Sequence, residues 1–378
     1  MRFEKYEVYS LHIPFRLDFT HSQARRLASD SFVIKLTAEG STGYGEAVVR
    51  DYVSGKMTDG DLLDHIAHVV GEVLESLSDL SVAGLRSWSE ALTVEHKDLP
   101  VLCAVEIALL DLLCKMSNTD VYDLLALQPL RTSITYGGTV PMLPLAAAKQ
   151  LLELSRKLQL ANLRLKLGAD LDYNRDLVGL ARSVVGDDVD LRIDANAGWN
   201  LESIFENLPL LADAGISVVE EPFGRDPAAI RQCRNDARSD GFSFVADDSV
   251  LSLADLKTIA ADRTFSMINI RLSKNGGLFR SLELAKEAEA LGVQYQLGCL
   301  VGETGILSAA GRVAASLMAD TVYVDGSYDA ILLSDNVTDS NMTFGGGGRA
   351  DIIRGNGLGF RVAESKLEEL HNDYRSWV

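Results

Sequence analysis

Residues 161–196, ANLRLKLGADLDYNRDLVGLARSVVGDDVDLRIDAN, contain two short strand segments on either side of a helical stretch. Apolar and polar residues alternate in ANLRLKLG and VDLRIDAN, whereas YNRDLVGLARSVVG has apolar residues three and four apart. A strand, a helix and a second strand in this order predict a βαβ unit with parallel strands. Arg164 and Lys166 are two residues apart on the first strand, so both side chains are expected to point inward from the same face.

The same unit repeats along the chain from about residue 130. Short strand segments alternate there with helical stretches such as PLAAAKQLLELSRKLQ and RSLELAKEAEALG. Eight strands with helical connections predict a (β/α)8 barrel of the TIM type over residues 128–350. The predicted strands are RTSITYGGTV (131–140), ANLRLKLG (161–168), VDLRIDAN (189–196), ISVVEEP (216–222), FSFVADD (242–248), FSMINIRL (265–272), VQYQLGC (293–299) and DTVYVDG (320–326).

The first 127 residues have a different pattern. Residues 1–50 contain strand segments separated by turn signals such as AEGSTG, and residues 61–127 have apolar positions at helical spacing. We therefore expect residues 1–127 to form a separate α+β domain. Residues 351–378 are expected to form a carboxyl-terminal segment whose short helix returns to this domain.

The amino-acid composition argues against two classes of binding partner. Hydrophobic residues make up 47% of the 378 residues, and the formal net charge of −18 argues against nucleic acid or an anionic membrane as a partner. The first fifteen residues alternate like a strand and lack the apolar core of a signal peptide, and no apolar run has the length of a membrane span. The cysteines follow no metal-binding or disulfide spacing, so we expect a reducing, cytoplasmic location; they are Cys103, Cys114, Cys233 and Cys299.

Acidic residues end three successive barrel strands. Asp194, Glu220 and Asp247 follow one another at intervals of one βα unit, and barrel active sites lie at the carboxyl ends of the strands. Clustered carboxylates repel one another unless a cation joins them, and a set of hard oxygen ligands favours Mg²⁺, with Mn²⁺ as the alternative. The competing interpretation is helix capping, since acids after strands often cap the next helix. Three acids at this spacing favour the metal site, with Glu221 and Asp248 beside it.

These segments, taken together, resemble the mandelate racemase and muconate lactonizing enzyme family of the enolase superfamily, and within it the muconate-lactonizing subgroup. The resemblance rests on GYGEAVV, RIDAN, VEEP, VADDSV, INIRLSKNGG and YVDG, which occur in the family's order. It implies a barrel whose mouth is covered by an N-terminal α+β capping domain, with two loops, 16–29 and 50–57, that choose the substrate. It also implies a homo-oligomer, either a dimer or an octamer.

The family's chemistry is removal of a proton alpha to a carboxylate, with Mg²⁺ stabilising the enediolate. The resemblance makes Lys166 the base, because it holds the position of the second lysine in the family's K-x-K pair on strand two, with Arg164 at the position of the first. A base must be partly neutral near pH 7, so we expect Arg164, which stays charged, to lower the pKa of Lys166. The competing interpretation is two structural cations at the end of a barrel strand.

Arg271 departs from the family pattern. It stands where this subgroup has a second catalytic lysine, and arginine is a poor general base. A reaction with one base is therefore expected, either cycloisomerisation or syn elimination. Lys274, three residues on, is expected just outside the site. Two alternatives stay open: a dipeptide or N-acylamino-acid epimerase that uses Arg271 as a base, and a homologue that binds a carboxylate without turning it over.

The substrate is expected to be a small carboxylate. Dipeptide epimerases of the family bind the substrate's ammonium group with two aspartates on strand eight, and here Tyr323 replaces the first while Asp325 keeps the second. This half motif weakens the case for an amino-acid substrate. Glu303 lies on the loop after the seventh strand. We expect its side chain either to contact the substrate or to form a hydrogen bond within this loop. The full set of candidate substrate contacts is Asp325, Tyr323, Glu303, Lys274, Asn196 and Asp248.

Overall fold

The computed structural model describes residues 3–377 and contains an α+β domain and a (β/α)8 barrel, which confirms the predicted fold class. Its strands are β1 Lys5–Leu11, β2 Ile13–His21, β3 Ala24–Ser29, β4 Ser31–Ala38, β5 Ser41–Val48, β6 Ser133–Thr135, β7 Gly138–Val140, β8 Asn162–Lys166, β9 Asp190–Asp194, β10 Val218–Glu220, β11 Ser243–Ala246, β12 Met267–Ile270, β13 Gln294–Leu297, β14 Thr321–Val324, β15 Arg349–Asp351 and β16 His371–Trp377. Its helices are α1 Asp51–Ser54, α2 Leu62–Glu75, α3 Val82–Ala91, α4 Leu99–Met116, α5 Val121–Leu125, α6 Leu145–Lys157, α7 Leu171–Val185, α8 Leu201–Asp213, α9 Pro227–Arg234, α10 Leu253–Asp262, α11 Leu272–Asn275, α12 Leu278–Leu291, α13 Gly305–Leu317, α14 Asp329–Leu332 and α15 Glu364–Leu370.

The amino-terminal domain is built on an antiparallel sheet with the strand order β16-β1-β4-β5. Strand β16 comes from the end of the chain, so residues 371–377 lie beside the strand that begins at Lys5. Only a short helix was expected in this segment, and the strand is a correction to that prediction. The sequence HNDYRSW gives little signal, because the strand is at the edge of the sheet and its residues are exposed or half-buried.

Helix α4 lies directly on β5 and is buried along nearly its whole length. It is apolar on every side, as expected of a helix enclosed by protein. The close approach depends on Gly43 and Gly45 of the segment GYGEAVV. A side chain at Gly45 would overlap the carbonyl oxygen of Ala104, and one at Gly43 would overlap that of Ala108.

The barrel strands β7 to β14 follow one another around a single parallel sheet. The amide of Gly137, just before β7, donates to the carbonyl oxygen of Val324 at the end of β14, which links the two ends of the sheet. The carboxyl ends of all eight strands therefore meet at one rim. This is the rim at which the sequence places its acidic residues.

The first predicted strand, residues 131–140, is divided in the structure. Its first part, β6, pairs with β15 outside the barrel, and only β7 joins the barrel sheet. Between them the amide of Tyr136 donates to Gly348, whereas that of Gly137 donates to Val324. The chain therefore changes its hydrogen-bonding partners within two residues, which the alternation of the sequence does not reveal.

Two buried carboxylates connect the amino-terminal domain to barrel helices. Glu46 of β5 accepts hydrogen bonds from the amides of Thr304 and Leu307 at the start of α13. Glu106 of α4 accepts from the amides at the start of α12. A carboxyl oxygen at a helix amino terminus accepts hydrogen bonds from N–H groups that have no partner within the helix. These contacts fix the orientation of the two domains.

The four cysteines are free thiols, and Cys103, Cys114 and Cys233 are buried. Within residues 3–377, every helix falls short of the length and apolar character that a membrane crossing requires.

Candidate active site

Three buried carboxylates lie together at the carboxyl rim of the barrel. Asp194 is the last residue of β9, Glu220 is the last residue of β10, and Asp247 directly follows β11. Asp194 and Glu220 are direct neighbours in the strand register. Helix capping does not explain these acids, because the side chains of Asn200, Asp226 and Ser252 cap the helices that follow the three strands.

Arg164 and Lys166 both point into this cluster from β8. The Lys166 Nζ donates to Asp194 Oδ2 at 2.9 Å and to Asn196 Oδ1 at 2.6 Å. The Arg164 Nη1 donates to both oxygens of Glu220, at 3.0 and 2.9 Å. Burial lowers the pKa of Lys166, Asp194 raises it, and Arg164 lowers it again, with a net shift below the ordinary value. Desolvation is thus a larger cause than the neighbouring arginine.

Arg271 follows β12 and contacts two of the three carboxylates. Its Nη2 donates to Asp247 Oδ2 and lies 3.4 Å from Glu220 Oε1. Burial disfavours the charge of this guanidinium, but Asp247 and Glu220 outweigh burial and raise the pKa of Arg271. The side chain therefore stays protonated and is unsuited to the role of a general base.

Lys274 approaches Asp247 from the side of the protein interior. It is fully buried on α11, and its Nζ donates to Asp247 Oδ1 at 3.1 Å and to the carbonyl oxygens of Asp247 and Asn269. Two backbone carbonyls and one carboxylate hold the ammonium group in place. Lys274 thus supports the position of Asp247 and does not line the pocket.

The structure reveals partners of Glu220 that were not predicted from the sequence. Asn269 Nδ2 donates to Glu220 Oε1 at 2.7 Å, and Gln296 Nε2 donates to Oε2 at 2.9 Å. Arg192 Nη1 lies 3.7 Å from Oε2. Burial alone would raise the pKa of Glu220, but Arg164, Arg271 and Arg192 hold it well below the ordinary value. Strand parity gave a signal, because Arg192 is two residues before Asp194, just as Arg164 is two before Lys166.

The donor set of the cluster fits a hard divalent cation by its chemistry, since all three candidate ligands are carboxylates. As the side chains lie, however, every oxygen of the three accepts a hydrogen bond from the protein, including Asp194 Oδ1 from the amide of Asn196. Among residues 3–377, no group of three or more His, Cys, Asp or Glu side chains is arranged to hold a metal ion. Cationic side chains, above all Arg271, lie between the carboxylates.

A small pocket opens beside this cluster. Its cavity volume is about 40 Å³, which is room for a few water molecules. Arg164, Lys166 and Arg271 form its cationic side, and apolar side chains such as Phe19 and Leu332 form much of the remaining wall. The carbon-rich wall and the three cations suit an anion with an apolar remainder.

Glu303 is the acidic residue that lines this pocket. Its Oε1 accepts a hydrogen bond from the amide of Leu300 at 2.7 Å, so it also closes its own loop. Burial raises the pKa of Glu303 to about 8. At neutral pH the side chain is therefore mostly protonated and can donate a hydrogen bond into the pocket.

Asp325 belongs to the buried network, whereas Tyr323 contacts that network only through its ring, which packs on Arg192. Asp325 Oδ1 accepts from Arg192 at 2.6 Å, and Oδ2 lies 3.4 Å from Arg164 Nη2. These arginines outweigh burial and hold the pKa of Asp325 below its ordinary value. The Tyr323 hydroxyl instead donates to Asp190, the first residue of β9, at 2.8 Å. It therefore points toward the opposite end of the barrel from the pocket.

The acids next to the candidate ligands support the rim. Glu221 accepts hydrogen bonds from the amide of Asp247 and the hydroxyl of Ser249, and its φ of 36° is in the left-handed region. Burial and then the Asp247 charge raise the pKa of Asp248 to about 7. Asn196, with φ 44°, is a second strained residue at this rim. Strained backbone at an active site is commonly maintained by its surroundings.

Residues 16–29 form the β2–β3 hairpin, and its tip rests on the barrel rim. The Ser22 hydroxyl donates to the carbonyl oxygens of Leu167 and Ala195, and Gln23 Nε2 donates to that of Asn196. The His21 ring lies 3.3 Å from the hydroxyl of Tyr52, which belongs to the second expected loop. The hairpin thus covers the ends of β8 and β9, where Lys166 and Asp194 lie.

Comparison with protein families gives matches over most of the chain. The profile described as "Mandelate racemase / muconate lactonizing enzyme, N-terminal domain" matches residues 5–126, and "Enolase C-terminal domain-like" matches residues 146–366. Related proteins include a hydrophobic dipeptide epimerase of Enterococcus faecalis, 26% identical over 84% of this chain and 88% of the relative. A chloromuconate cycloisomerase of Cupriavidus necator is 28% identical over 80% of each chain.

Solved structures of the same fold cover the whole chain. The N-succinyl Arg/Lys racemase from Bacillus cereus superposes with a TM-score of 0.88 at 21% identity, and each chain is covered completely. A dipeptide epimerase from Cytophaga hutchinsonii, solved with Mg and the dipeptide D-Ala-L-Val, superposes with a TM-score of 0.84 at 21% identity, again over both complete chains. At this identity the likeness establishes the fold.

Proposed function

This chain belongs to the mandelate racemase and muconate lactonizing enzyme family of the enolase superfamily, and we propose that it removes a proton alpha to the carboxylate of a small acid by using a single base. The reaction classes that we favour are cycloisomerisation and syn elimination of a β-leaving group. Its relatives are named as epimerases and as cycloisomerases, so membership alone leaves the reaction open. The choice rests on the side chains that face the pocket.

The proposal of a single base rests on the environment of Arg271. Lys166 and Arg271 both line the pocket, but their proton affinities move in opposite directions, because the pKa of Lys166 is lowered and that of Arg271 is raised. Epimerisation by two bases needs a proton acceptor on each face of the α-carbon. A guanidinium paired with Asp247 and Glu220 supplies positive charge and not a base.

Lys166 is the proposed base. Its amine takes the α-proton, and the electrons of the broken C–H bond form the carbon–carbon double bond of the enediolate. In a syn elimination, the β-leaving group departs from the same face, to which Lys166 can return the proton. Asp194 and Asn196, at 2.9 and 2.6 Å, orient the Nζ for this transfer. Arg164 and Arg271 offset the negative charge of the reacting carboxylate.

Mg²⁺ is the proposed cofactor, with Mn²⁺ as the alternative. Asp194, Glu220 and Asp247 would hold the ion, which when bound supplies the positive charge that makes an α-proton more acidic. The support for this assignment is the all-carboxylate donor set at the ends of consecutive strands.

The pocket favours a substrate without a cationic amine. Three of its lining side chains are cations, Glu303 has a raised pKa, and Asp325 is already paired with Arg192 and Arg164. An ammonium group would find no free carboxylate among these residues. We therefore propose a small carboxylate whose remaining part is apolar or neutral.

Proton exchange in D2O tests the proposal. The protein with MgCl2 is incubated with a panel of small carboxylic acids, and 1H NMR follows the loss of each α-proton signal. We expect exchange or turnover of at least one acid, and Lys166→Ala should lower its rate by about 10²- to 10⁴-fold, the usual contribution of a general base. The control is Lys149→Ala, an exposed lysine on α6. Undiminished exchange by Lys166→Ala would exclude this lysine as the base.

A second candidate function is epimerisation of a dipeptide or an N-acylamino acid. It is favoured by the hydrophobic dipeptide epimerase of E. faecalis, which matches 84% of this chain. The same D2O experiment separates the two candidates. Incorporation of deuterium with inversion at the α-carbon would support epimerisation, whereas loss of a leaving group or ring closure would support the one-base classes.

A further inference from the structure

Arg271 lies where two candidate metal ligands come together. Its Nη2 donates to Asp247 Oδ2 and lies 3.4 Å from Glu220 Oε1. A guanidinium and a divalent cation held on the same carboxylates repel each other, because both are positively charged. The Arg271 guanidinium and a bound ion would therefore compete for these two residues.

The two cations that contact Asp247 are held differently. Arg271 contacts the carboxylates through its Nη2, and its Nε, like those of Arg164 and Arg192, is buried without a hydrogen-bond partner among residues 3–377. Lys274, in contrast, is held by two backbone carbonyls and by Asp247 Oδ1. Arg271 also lines the pocket, whereas Lys274 lies behind Asp247. Of the two cations on Asp247, Arg271 is therefore the one that borders the pocket.

We propose that Arg271 is an internal counterion that a divalent cation displaces from Asp247 and Glu220. The displaced guanidinium then turns toward the pocket, where it becomes a binding group for the substrate carboxylate. The inference rests on the proposed function, because it takes Asp194, Glu220 and Asp247 as the metal ligands. It assigns Arg271 two alternating positions, one against Asp247 and Glu220 and one against the substrate.

The movement also concerns the pocket, whose cavity of about 40 Å³ has room for a few water molecules. Arg271 is part of the pocket wall, so its movement changes the shape of the cavity. Metal binding and carboxylate binding are then coupled, and each should strengthen the other.

Calorimetric titration with MgCl2 in the absence of any substrate tests the displacement. Arg271→Met removes the competing charge and should bind Mg²⁺ at least about tenfold more tightly than the wild type. Arg271→Lys keeps the charge on a single donor group and should fall between the two. The matched control is Arg192→Met, which removes a charge 3.7 Å from Glu220 that does not contact Asp247. Its gain in affinity should be smaller than that of Arg271→Met.

Thermal unfolding, in EDTA and in MgCl2, provides a second readout that is independent of activity. Arg271→Met should melt at a lower temperature than the wild type in EDTA, because Asp247 and Glu220 lose a partner, yet show the larger upward shift with Mg²⁺. Equal Mg²⁺ affinity in the wild type and Arg271→Met, or equal gains in Arg271→Met and Arg192→Met, would overturn the displacement and leave the proposed reaction standing. Absence of Mg²⁺ binding in every variant would overturn both proposals.

Discussion

At the scale of single residues, burial and neighbouring charges together set the pKa of the groups that line the pocket. Lys166 and Arg271 line the same pocket, but desolvation lowers the pKa of Lys166, whereas two carboxylates outweigh desolvation at Arg271. A lysine ammonium gives up its proton when its surroundings disfavour the charge, and a guanidinium does so only rarely. The pocket thus contains one group suited to proton transfer and one suited to holding charge.

Glu106 provides a prediction at the same scale, away from the candidate active site. Burial raises the pKa of this carboxyl from 4.5 to about 7. The folded protein therefore keeps the proton up to about pH 7, while the unfolded chain releases it near 4.5. The stabilisation is complete below pH 4.5 and is lost as the pH rises to 7, by about 1.4 kcal/mol per pH unit.

Urea unfolding of the wild type and Glu106→Gln, at pH 5 and pH 8, measures this effect. Relative to the variant, the wild type should lose about 2–3 kcal/mol in its free energy of unfolding between the two pH values. Glu153→Gln, an exposed change of the same kind on α6, controls for the substitution itself. A constant difference between the wild type and Glu106→Gln would show that Glu106 is ionised in the folded protein throughout this range.

At the scale of secondary-structure elements, the packing of α4 against β5 holds the amino-terminal domain together. The helix is buried on nearly every side, and it lies so close to the strand that Gly43 and Gly45 face its backbone carbonyls. Glu46 of the same strand accepts hydrogen bonds from the start of α13 in the barrel. Strand β5 therefore contributes both to the core of the amino-terminal domain and to its contact with the barrel.

Gly45→Ala should destabilise the protein, because the new methyl group would overlap the carbonyl oxygen of Ala104. We expect a loss of about 1–3 kcal/mol in the free energy of unfolding, the usual range for overpacking. Gly179→Ala on α7 is the matched control, since its methyl group would meet no atom within 4 Å and alanine favours a helix. Equal stability of Gly45→Ala and the wild type would mean that α4 can move away from β5 without loss.

At the scale of the whole molecule, repeating strands and helices were sufficient to predict the barrel. The period of alternation depends on local chain geometry, and Asp194, Glu220 and Asp247 follow from it because strand ends meet at one rim. The last strand, β16, was not predicted, because an edge strand needs few apolar residues. The grouping of Arg164, Lys166 and Asp194 was likewise predictable from strand parity.

Contacts between distant strands were not predictable in this way. Arg192 and Asp325 form a 2.6 Å ion pair across 133 residues, and neither sequence segment indicates the other. The direction of Tyr323 depends on Asp190 at the far end of another strand. The closed shape of the barrel brings such partners together, and a single sequence does not indicate which residues will pair. The family's half motif at Tyr323 and Asp325 therefore gave no indication that Asp325 is neutralised within the protein.

The central claim is that one base, Lys166, acts on one face of the substrate. The most direct measurement uses an acid that the D2O panel identifies, with both enantiomers prepared separately and incubated with the protein in D2O. The account predicts that 1H NMR will show loss of the α-proton from one enantiomer only, without interconversion, while the other enantiomer stays protonated. Exchange of both enantiomers with formation of the racemate would contradict it, because a second group would then have to remove a proton from the opposite face.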